Sequence, residues 1–145
     1  MIITQKSQYA VRALFSLACF DGNKPLKIAE IAVNQGIPAR FLEVILGQLK
    51  QAGFVESRRG VDGGYWLATS PREINVGQIV QAIDGPIVIN SNTETLAGSP
   101  SSELFVDFWN DAAATLQNYL DTTSLADMVA SHEKLQKNYI PNYSI

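Results

Sequence analysis

Two arginine-bearing clusters are the residues of this chain best equipped for chemistry. The first is Pro38-Ala39-Arg40-Phe41 with Glu43 and, a turn later, Gln48; the second is Arg58-Arg59-Gly60 with Gly63-Gly64. A guanidinium offers a planar fork of donors that suits the edge of guanine, and a carboxylate can accept from the amino group of cytosine. Glycines let a backbone turn tightly and approach a sugar–phosphate chain closely. An arginine carried on such a turn can enter a narrow minor groove, where negative potential is concentrated. This is the chemistry of recognition, by hydrogen bonds and charge, and no bond need be made or broken.

Bond-making chemistry finds little to work with. The chain has one cysteine, Cys19, and one histidine, His132, far apart. A lone cysteine forms no intramolecular disulfide and no multi-thiolate metal site, so none is expected. Acid, base and nucleophile candidates occur only singly, and no metal-ligand spacing emerges. The glycine-rich turn is followed by neither a lysine-serine/threonine pair nor a helix, which excludes a phosphate-cradling nucleotide site. The chain is not expected to be an enzyme.

The elements that must position the two clusters follow from periodicity and punctuation. Thr4 reads as the cap of a first helix beginning near Lys6, with Tyr9, Ala10, Ala13, Leu14, Leu17 and Ala18 at spacings of three and four. Lys6, Gln8 and Arg12 lie off that face and are candidates for phosphate contact. Cys19, at the apolar end, reads as a small buried hydrophobe. A loop at 21–25 leads to a short helix at about 27–35, which Gly36 ends. Ile37-Pro38 then opens a second helix running to about Ala52, striped by Phe41, Leu42, Ile45, Leu46, Leu49 and Ala52. Two short helices joined by a tight glycine turn are the helix-turn-helix signature. Its second helix reads bases with its first turn, so Ala39, Arg40 and Glu43 are the candidate readers, with Gln48 and the backbone-contact candidate Lys50 on the same outer side. Strand-like runs at 54–58 and 65–68 flank the glycine-rich tip, making a hairpin wing. The predicted fold is mainly α with a small β-hairpin: a winged helix-turn-helix followed by a long C-terminal dimerisation helix. Its layout is that of a device for reading duplex DNA.

Beyond the wing, Asn75 and Gln78 form a capping box that opens a short helix, ended by Asp84-Gly85-Pro86. Residues 85–101 read as a loop with a sensing role. A long helix at 102–120 places Phe105, Phe108, Trp109, Ala112, Leu116, Tyr119 and Leu120 on one side. That stripe either covers its own domain or packs against a second copy, and dimerisation is the expectation because DNA readers of this size need two half-sites. Ser124 and Asp127 cap a last helix to about Leu135, in which His132 is a surface or packing residue; the tail at 136–145 reads as irregular. The expected division is a reader at 1–84, the loop at 85–101, dimerisation helices at 102–135 and the tail.

Charge separates the halves. The net value is −3, yet residues 1–72 hold nine Lys/Arg against five Asp/Glu, and residues 73–145 hold two against nine. The basic half is the half with the wing, which fits a reader joined to an acidic, partner-facing region. A leader-like N-terminus and any membrane-length apolar run are missing from the sequence, so a cytoplasmic protein without membrane contact is expected.

These residues resemble the Rrf-two family of bacterial winged-helix repressors, whose members include the iron–sulfur assembly regulator, a nitric-oxide-sensing repressor and a cysteine-metabolism repressor. The likeness is carried by TQKSQYAVRALFSLA at 4–18, IAEIA at 28–32, FLEVILGQLKQAGFVESRRGVDGGYWLA at 41–68 and INVGQIVQAIDGP at 74–86. The wing, with its RRG and GGY, is the specific piece. The resemblance implies a homodimer crossed at the long helix, bound to a pseudo-palindromic operator through Ala39, Arg40, Phe41, Glu43 and Arg59. Cluster-binding members carry three cysteines in the loop before that helix, and this chain has none there. The iron–sulfur cofactor is therefore expected to be absent, leaving a small-molecule or protein effector as the signal. The alternative is a winged helix used for protein–protein contact, with Cys19 or the loop at 90–101 as the signalling element.

Overall fold

A computed structural model of the chain describes residues 3–20, 24–90 and 97–139. The element order is α1 (Gln5–Cys19), α2 (Ile28–Gln35), α3 (Ala39–Gln51), β1 (Val55–Arg58), β2 (Gly64–Leu67), α4 (Val76–Asp84), α5 (Pro100–Asp121) and α6 (Leu125–Asn138). A short 3₁₀ turn at Pro71–Glu73 precedes α4. The fold is the expected winged helix-turn-helix with a long helix near its C-terminal end.

Each boundary has a local cause. Thr4 caps α1 by accepting from the Ser7 N–H at 3.2 Å. Gly36 takes the left-handed conformation, φ 61° and ψ 39°, which turns the chain between α2 and α3. Asn75 accepts from the Gln78 N–H at 2.8 Å while the Gln78 side chain accepts from the Asn75 N–H at 2.9 Å, closing the expected capping box. Ser124 and Asp127 close another ahead of α6.

The core gathers the apolar stripes. Ala10, Ala13, Leu14 and Leu17 of α1 meet Ile31 of α2, Leu42, Ile45, Leu46 and Leu49 of α3, Val55 of β1 and Ile79 of α4. Leu125 of α6 is fully buried in this same cluster. The turn into α6 is sewn on by backbone bonds, Leu125 N–H to the Ile74 carbonyl and Val76 N–H to the Thr123 carbonyl, both 2.9 Å. The sequence grouped α6 with α5; its packing joins it to the first body. A smaller cluster of Val76, Val80 and Leu120 lies where α4 meets the end of α5.

Three expectations are corrected. Cys19 is exposed, not buried. It lies five residues past Leu14, about 140° round the helix from that core position, so it cannot share the core face. Partial burial, and then the Glu133 carboxylate, push its thiol above the ordinary value, which keeps it protonated at neutral pH. Helix α6 runs three residues beyond Leu135, so Gln136, Lys137 and Asn138 are helical and not part of an irregular tail. The stripe on α5 is also split. Leu116 and Leu120 pack within the chain against Val76 and Val80, whereas Phe105, Phe108 and Trp109 stay exposed. Parts of the loops at 21–25 and 90–101, and the end of the tail, lie outside the described residues.

At the N-terminal edge, the Asp84 carboxylate accepts from the Thr4 N–H (3.0 Å), the Thr4 hydroxyl (2.6 Å) and the Ser7 hydroxyl (2.7 Å), clasping the end of α4 to the start of α1. Partial burial pushes this carboxyl up, but the hydrogen bonds from Thr4 and Ser7, with the charge of Lys6, hold it below its ordinary value.

Candidate nucleic-acid interface

Helix α3 sorts its side chains cleanly. Leu42, Ile45, Leu46 and Leu49 are buried, and Pro38, Ala39, Arg40, Phe41, Glu43, Val44, Gly47 and Lys50 are exposed. The first turn therefore presents all its expected readers to solvent. The Arg40 guanidinium lies over the Phe41 ring, 4.9 Å from its centroid, a cation–π contact that orients it. Glu43 makes no hydrogen bond or ion pair among the described residues, which leaves its carboxylate available to a base edge. Gln48 stands apart from this group. It is half-buried, and its Oε1 is enclosed without a hydrogen-bond partner.

The wing is a two-stranded antiparallel hairpin in the register Val55 to Leu67, Glu56 to Trp66, Ser57 to Tyr65 and Arg58 to Gly64. Its tip needs its glycines. A Cβ on Gly63 would run into the Arg58 carbonyl, and one on Gly64, at φ 146°, would lie 2.6 Å from the Leu26 carbonyl oxygen. That close approach lets Leu26 and Tyr65 exchange two backbone hydrogen bonds, 2.9 and 2.8 Å, which tie the wing to the segment before α2. The two arginines then differ. Arg58 folds back on the tip, its Nη2 donating to the Asp62 carbonyl at 3.1 Å, and so shapes the turn. Arg59 is exposed and makes no hydrogen bond among the described residues. It is the arginine free to reach outward.

Between the wing and the helix-turn-helix runs a groove of about 510 Å³ lined by Lys27, Lys50, Ser57, Arg58, Arg59 and the glycines 60, 63 and 64, among others. Four cations along one groove suit the regularly spaced charges of a phosphate backbone. Lys50 reaches across it, its Nζ donating to the Ser57 hydroxyl at 2.8 Å. Lys27 was not foreseen as a contact residue, although it carried a signal: it stands at the N-cap of α2, where the helix dipole disfavours a cation unless something anionic comes near. On the opposite flank of α3, Lys6 lines a second cavity with Tyr9 and Phe41. Gln8 turns elsewhere, its side-chain amide donating to the Ile3 carbonyl at 3.4 Å.

A helix whose first turn is exposed, beside a rigid hairpin with a free arginine at its tip, defines a winged helix-turn-helix DNA-binding protein. The chain belongs to the Rrf2 family: the family model described as "Iron-dependent Transcriptional regulator" matches residues 3–131. It is 48% identical over 89 residues to an rrf2-like HTH-type transcriptional regulator of Rhodobacter capsulatus, a match spanning 59% of either chain. It is 33% identical over 138 residues to the HTH-type transcriptional regulator IscR of Aliivibrio salmonicida, covering 94% of this chain and 82% of that one. Among solved structures, CymR, titled the global cysteine regulator of B. subtilis, superposes with a TM-score of 0.78 at 28% identity, covering 90% of this chain and 98% of that one. The protein is a DNA-binding transcriptional regulator and not an enzyme. Among the described residues no helix is long and apolar enough to cross a membrane.

Proposed function

We propose that the protein is a homodimeric cytoplasmic repressor that holds a pseudo-palindromic operator with two copies of the α3–wing unit and works without an iron–sulfur cluster. The observation that carries this reading is the uncovered aromatic face of α5, in a chain that has one complete base-reading unit. Leu104, Phe105, Phe108 and Trp109 are exposed along the first turns of α5, with Phe108 58% accessible. The Phe108 and Trp109 rings pack edge to face at 5.0 Å, forming one apolar surface. A two-fold axis through such a face pairs it with itself and sets two readers on one side of the dimer.

The available donors support the cluster-free reading. Cys19 is the chain's only cysteine, and residues 85–101 contain none. Among the described residues, no three His, Cys, Asp or Glu side chains gather closely enough to hold a metal ion. The signal is then a small molecule or a second protein.

The test joins sedimentation to fluorescence anisotropy with DNA from upstream of the protein's own gene, across a salt series and against scrambled competitor. The expected result is a mass of two chains, no stoichiometric iron or sulfide, and sequence-selective binding that weakens steeply with salt. A monomer at micromolar concentration, or affinity indifferent to salt, would overturn the reading.

A further inference from the structure

The solvent face of α3 is not uniformly polar. At 100° per residue, Arg40, Val44, Gly47 and Gln51 fall within about 60° of one another, directly opposite the buried line of Leu42, Ile45, Leu46 and Leu49. Val44 stands at the Phe41 edge of that outer line and is 57% exposed, and Phe41 beside it is 46% exposed. The two are continuous with a cavity of about 340 Å³ between α3 and α1, walled by Tyr9 and Ile45, with Lys6 at its rim. One turn on, a Cβ added at Gly47 would meet nothing within 4 Å, so the helix backbone itself is open to close approach. The middle of the outer face of α3, between Arg40 and Gln51, is thus apolar and shallow, and it is bordered by Arg40, Lys6 and, on the other flank, Lys50 with the wing arginines.

The cationic border identifies duplex DNA as what meets this patch. In the major groove, the apolar group that duplex DNA presents is the 5-methyl of thymine. We propose that Val44, backed by Phe41, is a specificity determinant that reads a thymine methyl in each half-site, and that Gly47 leaves room for the base-pair edge to approach. This rests on the reading of α3 as the base-contacting helix. It adds a hydrophobic component to the hydrogen bonds available from Arg40 and Glu43.

The test begins with duplexes selected by the purified protein from a random pool. Each thymine of the selected site is then replaced by 2′-deoxyuridine, which lacks only the methyl group, and affinities are compared for the wild type and Val44→Ala. Burial of one methyl corresponds to about a fourfold affinity ratio of thymine over uracil. That ratio is expected at one thymine per half-site for the wild type, falling to about one in Val44→Ala, with Val44→Thr, which keeps a methyl, in between. Uracil that changes nothing at any position overturns the proposal, as does a thymine preference that survives intact in Val44→Ala. A pool that yields no selected sequence overturns instead the reading of α3 on which the proposal rests.

Discussion

The two ends of the molecule that face a partner are built in opposite ways. The α3–wing unit is finished within one chain. Its helix is anchored by four buried side chains, its hairpin is bonded to the segment before α2, and the groove between them is lined by cations. The first turns of α5 are unfinished. Of this 22-residue helix only Leu120, one residue from its end, is buried, while large apolar side chains near its start stand in water. A surface made for a phosphate chain must stay hydrated until it binds, whereas an aromatic face gains by being covered permanently. The contrast separates a surface that comes and goes from one that assembles.

Substitutions that cross this boundary break the comparison most sharply. Phe108→Arg places a charge in the centre of the α5 face and should convert a dimer to a monomer by sedimentation, with helicity unchanged. Operator affinity should then fall on the order of a hundredfold or more, because two linked readers become one. A dimer that persists would move the assembly surface elsewhere. Next in size is Arg59→Ala, expected to weaken operator binding by about tenfold to a hundredfold and leave the dimer intact; an unchanged dissociation constant removes Arg59 from the interface. Arg58→Ala is expected to act differently, by loosening the tip it braces, so amide exchange at 60–63 should rise.

Glu43→Ala addresses discrimination more than affinity. The ratio of operator to random-DNA affinity should drop by about tenfold, while binding to random DNA stays the same or improves as a negative charge leaves the interface. Equal losses on both DNAs would mean that Glu43 supports the helix and does not read bases. The smallest effect belongs to the clasp at Asp84. Because its folded-state carboxyl sits below the ordinary value, its stabilisation is complete above the unfolded value and fades as pH falls through the folded one. Asp84→Asn should cost on the order of 1 kcal/mol of stability at neutral pH, small because the group is largely exposed, and should flatten the acid limb of the unfolding curve. An acid limb of unchanged steepness would show that other carboxylates govern it.

Most of the reader was legible in the sequence because its determinants are local. Gly36 and Pro38 punctuate the turn, the apolar period of α3 separates its two faces, and the wing glycines announce a hairpin. Thr4, Asn75 and Ser124 each mark a helix start that the hydrogen bonds then display. What was not legible depends on what covers each apolar stripe. Periodicity gave Leu116 and Leu120 the same side of α5 as Phe108, but only the position of α4 divides them between an internal cluster and open surface. The return of α6 onto α1, where the His132 and Phe15 rings meet edge to face at 5.2 Å, is likewise a long-range event with no local signature. At Cys19 the apolar composition of the helix end misleads, because the helical turn carries that residue off the core face.

The bridge between Leu26 and Tyr65 bears on the thermodynamics of association. A hairpin free to swing would have to be immobilised when it met its target, and ordering each such residue costs about 1–2 kcal/mol of backbone entropy. Here two backbone hydrogen bonds hold β2, one residue from the tip-side end of the ladder, against the body before any encounter. Much of that loss therefore falls within folding, and Arg59 meets the duplex from a base that is already still.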